Sequence, residues 1–143
     1  MLRELRKDSC EELLRRNRVC RIAIRDGDGT YIVPFSYAFA DGYVYGHAPP
    51  GYKVDLLRKW PRVAILVDEI RNLSVWKSVM VRGEWEELTG RQEQDRARAL
   101  LLGVFQGELW GVGAGHGHKA PLAESILFRI RAEEITGRSQ NLS

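Results

Sequence analysis

Residues 19–57 read VCRIAIRDGDGTYIVPFSYAFADGYVYGHAPPGYKVDLL. The first run, Val19 to Arg25, alternates with Cys20, Ile22 and Ile24 on one face, the period of a half-buried strand. Asp26-Gly27-Asp28-Gly29 follows as a turn with two glycines able to take positive φ. Thr30 to Phe39 reads as a second strand, apolar on both faces and therefore expected to be buried on both. Pro34 interrupts it; a proline cannot donate to the ladder, which marks an edge or a bulge. Asp41-Gly42 is the next hairpin turn, and Tyr43 to His47 a third strand. Two prolines and a glycine then lead to Lys53, which opens an amphipathic helix to Trp60, stopped by Pro61.

Outward from this core the same periods recur. Ser9 and Glu12 fit a capping box, predicting a short helix that starts at Ser9 and runs to about Arg16. Arg62 to Asp68 is a buried strand. In Ser78 to Leu88, Val79, Val81, Gly83 and Trp85 oppose Arg82, Glu84 and Glu86. Arg91 to Leu102 is a charged amphipathic helix, and Gly103 to Pro121 a glycine-rich loop able to cover a site. Ser125 to Ala132 alternates again. Six short strands joined mostly by tight turns predict a mainly β fold, a small antiparallel barrel with peripheral helices. Neither a linker nor an internal repeat breaks residues 1–143, so one domain is expected.

Composition narrows the function. The chain has 143 residues, 44% of them hydrophobic and 29% charged, long enough to bury a core without staples. The net charge of +3 is dispersed, which argues against a dedicated nucleic-acid helix but permits one or two phosphate sites. Two cysteines, Cys10 and Cys20, are too few for a disulfide framework and read as reduced thiols of a cytoplasmic protein. The basic N-terminus lacks an apolar signal core, and no stretch reaches the roughly 18 apolar residues of a membrane helix.

Lys53 is the residue with least local reason for its place, because a helix N-terminus weakly repels a cation. It reads either as a solvated lysine or as one half of a phosphate site, with Gly51 letting a ligand approach the backbone and helix N–H groups donating. His47 reads as a general acid, a ring contact or a core histidine of simple hydrogen-bonding role, with a ligand contact preferred to catalysis. His116 and His118 lack the further ligands that zinc needs, and Gly111 to Gly117 lacks the strand and helix of a dinucleotide fingerprint. Trp85 reads as core, Trp110 as a shield beside the glycine loop, and Trp76 as an aromatic to watch. No carboxylate pair or catalytic triad stands out, which suits a protein whose cofactor carries the chemistry.

The order of pieces resembles the pyridoxamine 5′-phosphate oxidase-like family of FMN-binding split barrels, and within it the nitroimidazole-resistance reductases. The resemblance rests on PFSY, YGHAPPGYK, WPRV, KSVMVRG and EEITGR and spans about residues 9 to 138. It implies FMN at the interface of a homodimer, its phosphate against Lys53, with Lys77 and Ser78 joining from the later strand. It lays the flavin ring along Val33, Pro34, Phe35 and Ser36, with His47 and Ala48 at the phosphate or ring edge. Tyr52 stands where the oxidases carry an arginine, and Ser78 where they carry a glutamine. The tryptophan- and arginine-bearing substrate segment of the oxidases is not found after Ile135. The resemblance therefore implies an FMN-dependent oxidoreductase acting on a small electron acceptor, of nitroreductase type, without binding nucleic acid or membrane. A non-catalytic flavin or haem binder and a deazaflavin-dependent reductase are the alternatives.

Overall fold

The computed structural model describes residues 2–105 and 125–142. In chain order they form β1 (Leu2–Glu4), α1 (Lys7–Arg16), β2 (Val19–Asp26), β3 (Gly29–Ser36), β4 (Ala38–Ala40) and β5 (Tyr43–Ala48). There follow α2 (Tyr52–Lys59), β6 (Arg62–Asn72), β7 (Val75–Glu87), α3 (Arg91–Phe105), β8 (Ile126–Arg131) and β9 (Glu134–Asn141). The strands run in the order β3-β2-β6-β7-β8-β5-β4, every pairing is antiparallel, and β9 joins β7 to β1. The sheet does not close on itself, the arrangement of a split barrel.

The split is made by β7. One edge pairs with β6, whereas the other pairs with β9 through Arg82 and with β8 from Trp85 onward. At the handover the β8–β9 corner crosses Gly83 so closely that a Cβ there would collide with the Arg131 carbonyl. The corner is held by the Glu133 N–H, which donates to Arg82 O at 3.0 Å. Only a glycine fits beneath such a crossing.

Alternation does what its period predicts. Cys20, Ile22 and Ile24 on β2, Val63, Ile65 and Val67 on β6, and Val79 and Val81 on β7 are buried in one core. A second apolar cluster joins α3, through Ala97, Leu101 and Phe105, to Tyr45 and Leu127. Asp41 and Gly42 take φ of 54° and 80°, the positive pair that a two-residue hairpin requires.

Four sequence expectations are corrected. First, the strand expected over Thr30 to Phe39 is two strands, with the break at Tyr37. Its N–H still donates to Arg18 O at 2.9 Å, in register with β2, while its hydroxyl donates to Leu14 O at 2.6 Å; beyond it Ala38–Ala40 pair with β5. Second, β3 is buried on one face only. It lies at the sheet edge, where Pro34 costs no hydrogen bond, and Ile32 is 64% exposed. Third, α1 begins at Lys7, not Ser9, with Arg6 as N-cap and no side-chain cap. The Leu5 N–H is tied to Gly137 O, so the chain enters the helix earlier. Fourth, there are nine strands among the described residues, not six: β1, β9 and the separate β4 were not legible as strands.

Candidate functional site

The start of α2 is held on the β2–β3 hairpin from both ends. The Tyr52 hydroxyl donates to Asp26 Oδ1 at 2.6 Å, and its ring meets Tyr31 edge-on at 5.4 Å. At the far end Trp60 lies under Arg25 and Lys59, with ring distances of 5.1 Å and 4.6 Å. Between them Val54, Leu56 and Leu57 are buried in the core. Asp26, Tyr31 and Trp60 were not singled out from sequence; the only signal for Asp26 was its place in a turn.

This clamp leaves Lys53 half-buried against β2, near Cys20. Burial pushes the Lys53 pKa down from its ordinary value, offset in part by the Cys20 thiol, and burial pushes the Cys20 thiol up. Among the described residues no carboxylate pairs with Lys53. Gly51, the N-cap of α2, is exposed and offers no side-chain cap, so the first N–H groups of the helix have no side-chain acceptor. A Cβ at Gly51 would meet nothing, so the space before the helix is open. A half-buried ammonium without a counter-ion among the described residues, beside helix donors that the N-cap side chain leaves uncapped, suits a phosphate monoester.

The neighbouring strand is β3, since Cys20 pairs with Phe35. Val33 and Phe35 face inward, Phe35 packing edge-on against Phe128 at 5.5 Å. Pro34 is exposed, opposite Arg21, and Ser36 is half-buried, opposite Val19. Because β3 ends the strand order, one of its edges carries backbone groups that no described strand pairs.

The remaining candidates lie elsewhere. Ala48 is 1% exposed and belongs to the main core, whereas His47 faces α3. Its ring is 5.8 Å from Phe105, and its Nδ1 is 3.4 Å from Ser125 Oγ. Successive residues of a strand point to opposite faces, so His47 and Ala48 cannot meet one ligand from the same side of β5. The same alternation separates Lys77 from Ser78. Lys77 is exposed opposite Glu69, whose carboxyl it helps to hold low, while Ser78 pairs with Asp68 and Arg138. Both are on β7, with β6 between them and β2, which is about 10 Å of sheet. Within one chain, Lys53 and β3 therefore form one group, and Lys77 and Ser78 another. His116, His118, Trp110, the Gly111–Gly117 stretch and most of Gly103–Pro121 lie outside the described residues.

The comparisons with known proteins agree with this fold over almost the whole chain. An uncharacterized protein of Rhizobium meliloti is 28% identical over 143 residues, covering 96% of this chain and 95% of the relative. An FAD-binding protein of Mesorhizobium loti, known from its crystal structure, is 32% identical with a TM-score of 0.84, covering 99% of each chain. A candidate 5-nitroimidazole antibiotic resistance protein from Bacteroides thetaiotaomicron shares the fold at 16% identity, with a TM-score of 0.75 over 97% of this chain and 89% of that one. The sequence profile of pyridoxamine 5′-phosphate oxidase matches residues 6–139, so the chain belongs to that family.

Proposed function

We propose that the protein is an FMN-dependent oxidoreductase that passes electrons to a small organic acceptor and works as a homodimer. The observation that carries the reading is Lys53, half-buried and without a carboxylate among the described residues, at the open N-terminus of α2. Lys53 and the α2 N–H groups would hold the phosphate, and the unpaired edge of β3 would meet the polar rim of the ring. Bound flavin supplies the electron transfer. The chain's residues bind it, orient it and limit water at its face. The Mesorhizobium loti relative is an FAD-binding protein, and FAD carries the flavin and ribityl phosphate of FMN within a pyrophosphate, so Lys53 would meet a phosphate in either cofactor.

The dimer rests on the outer face of the sheet. Val19, Ile32, Leu66 and Ile70 are 51%, 64%, 38% and 65% exposed there, apolar surface that a second copy would cover.

The test is the absorbance spectrum of the purified protein, followed by identification of the released cofactor. Flavin bands with one FMN released per chain are expected; released FAD would place the same site in the service of the larger cofactor. A haem or deazaflavin spectrum, or a protein that takes up no flavin on titration, would overturn the reading. Flavin uptake without reduction of any nitroaromatic or quinone in a broad panel would make the protein a flavin binder and not an oxidoreductase.

A further inference from the structure

Tyr52, the residue directly before Lys53, is tied to the β2–β3 hairpin at two points. Its hydroxyl proton goes to Asp26, the last residue of β2, at 2.6 Å, so it is not a donor for a phosphate. Its ring meets Tyr31 of β3 edge-on at 5.4 Å. Both partners lie on the inner side of the hairpin. Asp26 has the parity of Cys20, Ile22 and Ile24 on β2, and Tyr31 that of Val33 and Phe35 on β3, residues that form the main core or pack on it. Val19 and Ile32 have the other parity, so the tie is on the face opposite the one given to a second copy.

Tyr52 is 55% exposed, where water competes for its hydroxyl, so the contact adds little to the stability of the fold. Its effect is on position. Tyr52 and Lys53 reach opposite ways along β2: Asp26 is at the hairpin end, and Cys20, which Lys53 approaches, is about 20 Å away at roughly 3.3 Å per residue. Gly51 has no side chain to anchor the chain before α2, and the first hydrogen bond of the helix, Asp55 N–H to Gly51 O at 3.0 Å, starts from that glycine. Without the tie the first turn of α2 is held from the core side alone, by Val54. Tyr31 belongs to β3, the strand whose free edge faces the ring in the flavin reading. One tie therefore joins the two halves of that site.

We propose that Tyr52 and Asp26 are positioning residues that hold the phosphate donors of α2 at a fixed distance from the ring edge on β3. The inference rests on the Lys53 reading and deepens it. A ligand with two joined parts gains from both contacts only when the protein holds them at the matching span.

Titration with FMN and with riboflavin, which lacks the phosphate, tests the proposal. Wild type should bind FMN more tightly than riboflavin. Tyr52→Phe should weaken FMN about fivefold, the worth of one ordinary hydrogen bond, and leave riboflavin affinity and the melting temperature almost unchanged. Asp26→Ala should act alike, the double variant should be no weaker than either single one, and Asp26→Asn, which keeps an oxygen acceptor, should retain FMN affinity. Amide exchange at Asp55 in the flavin-free protein should speed up in Tyr52→Phe. A wild type without preference for FMN would overturn the Lys53 reading and this inference with it. A wild type that prefers FMN, with that preference intact in Tyr52→Phe, would overturn the positioning role alone. So would an equal loss of both flavins, or unchanged exchange at Asp55 whether or not flavin binds.

Discussion

Replacing Lys53 with methionine sets two consequences of one structure against each other. The methionine keeps most of the length and the apolar stem but removes the charge. In the flavin-free protein that charge is half-buried, with no carboxylate pairing with it among the described residues, and burial already holds its pKa down. A depressed lysine pKa means the folded state opposes the charged form; the penalty is present at neutral pH and is relieved as pH rises toward the unfolded value. Lys53→Met should therefore raise the melting temperature of the flavin-free protein. Its effect on the ligand should be the reverse. A hydrogen bond to a charged group contributes about 1.5–3 kcal/mol, so loss of the ammonium–phosphate contact should weaken FMN by about 10- to 150-fold. The assay is FMN fluorescence quenching for affinity and differential scanning fluorimetry of the flavin-free protein for stability. A variant with unchanged FMN affinity would remove Lys53 from the site. A lowered melting temperature would show that Lys53 has a stabilising partner and refute the argument from desolvation.

Three other outcomes are expected. Gly83→Ala has no room beneath the Arg131 carbonyl, so β8 must part from β7; a loss of about 3 kcal/mol, seen as a fall of roughly 10 °C in melting temperature, is expected by thermal scanning. Arg16 and Asn17 hold the Glu69 carboxyl at about 2, so the stability it contributes is present above the ordinary value of 4.5 and lost as pH falls through about 2. Glu69→Gln should accordingly lower the unfolding free energy measured by urea titration at neutral pH by on the order of 1 kcal/mol, and cost little near the lower value. Light scattering of the wild type should give twice the 16.3 kDa of one chain, and Leu66→Glu, which puts a charge on the outer face, should give a single chain; a wild type at the single-chain mass would refute the dimer.

Much of the barrel was legible because its determinants are local. The two-residue period of β2 and the second half of β7 names the core face without knowledge of what packs there, whereas the continuous apolar run of β6 hid that Leu66 faces outward. Asp41-Gly42 can take the positive φ of its turn, and Pro61 stops α2 wherever that helix lies. Lys53 at a helix start was visible for the same reason: its oddity is one of sequence order. Position in the sheet is not local. Glu134–Asn141 is polar and without alternation, and becomes β9 only because β7 offers an edge. The apolar run through Thr30 to Phe39 gave no sign that the strand would break at Tyr37, whose hydroxyl bonds Leu14. Nor could spacing tell that His47 would look to α3. Burial of Lys53, too, required α2 to be seated on β2. The sequence by itself determined which residues turn and alternate. Which of them share a ligand depended on strand order and register, because those set distances between residues far apart along the chain.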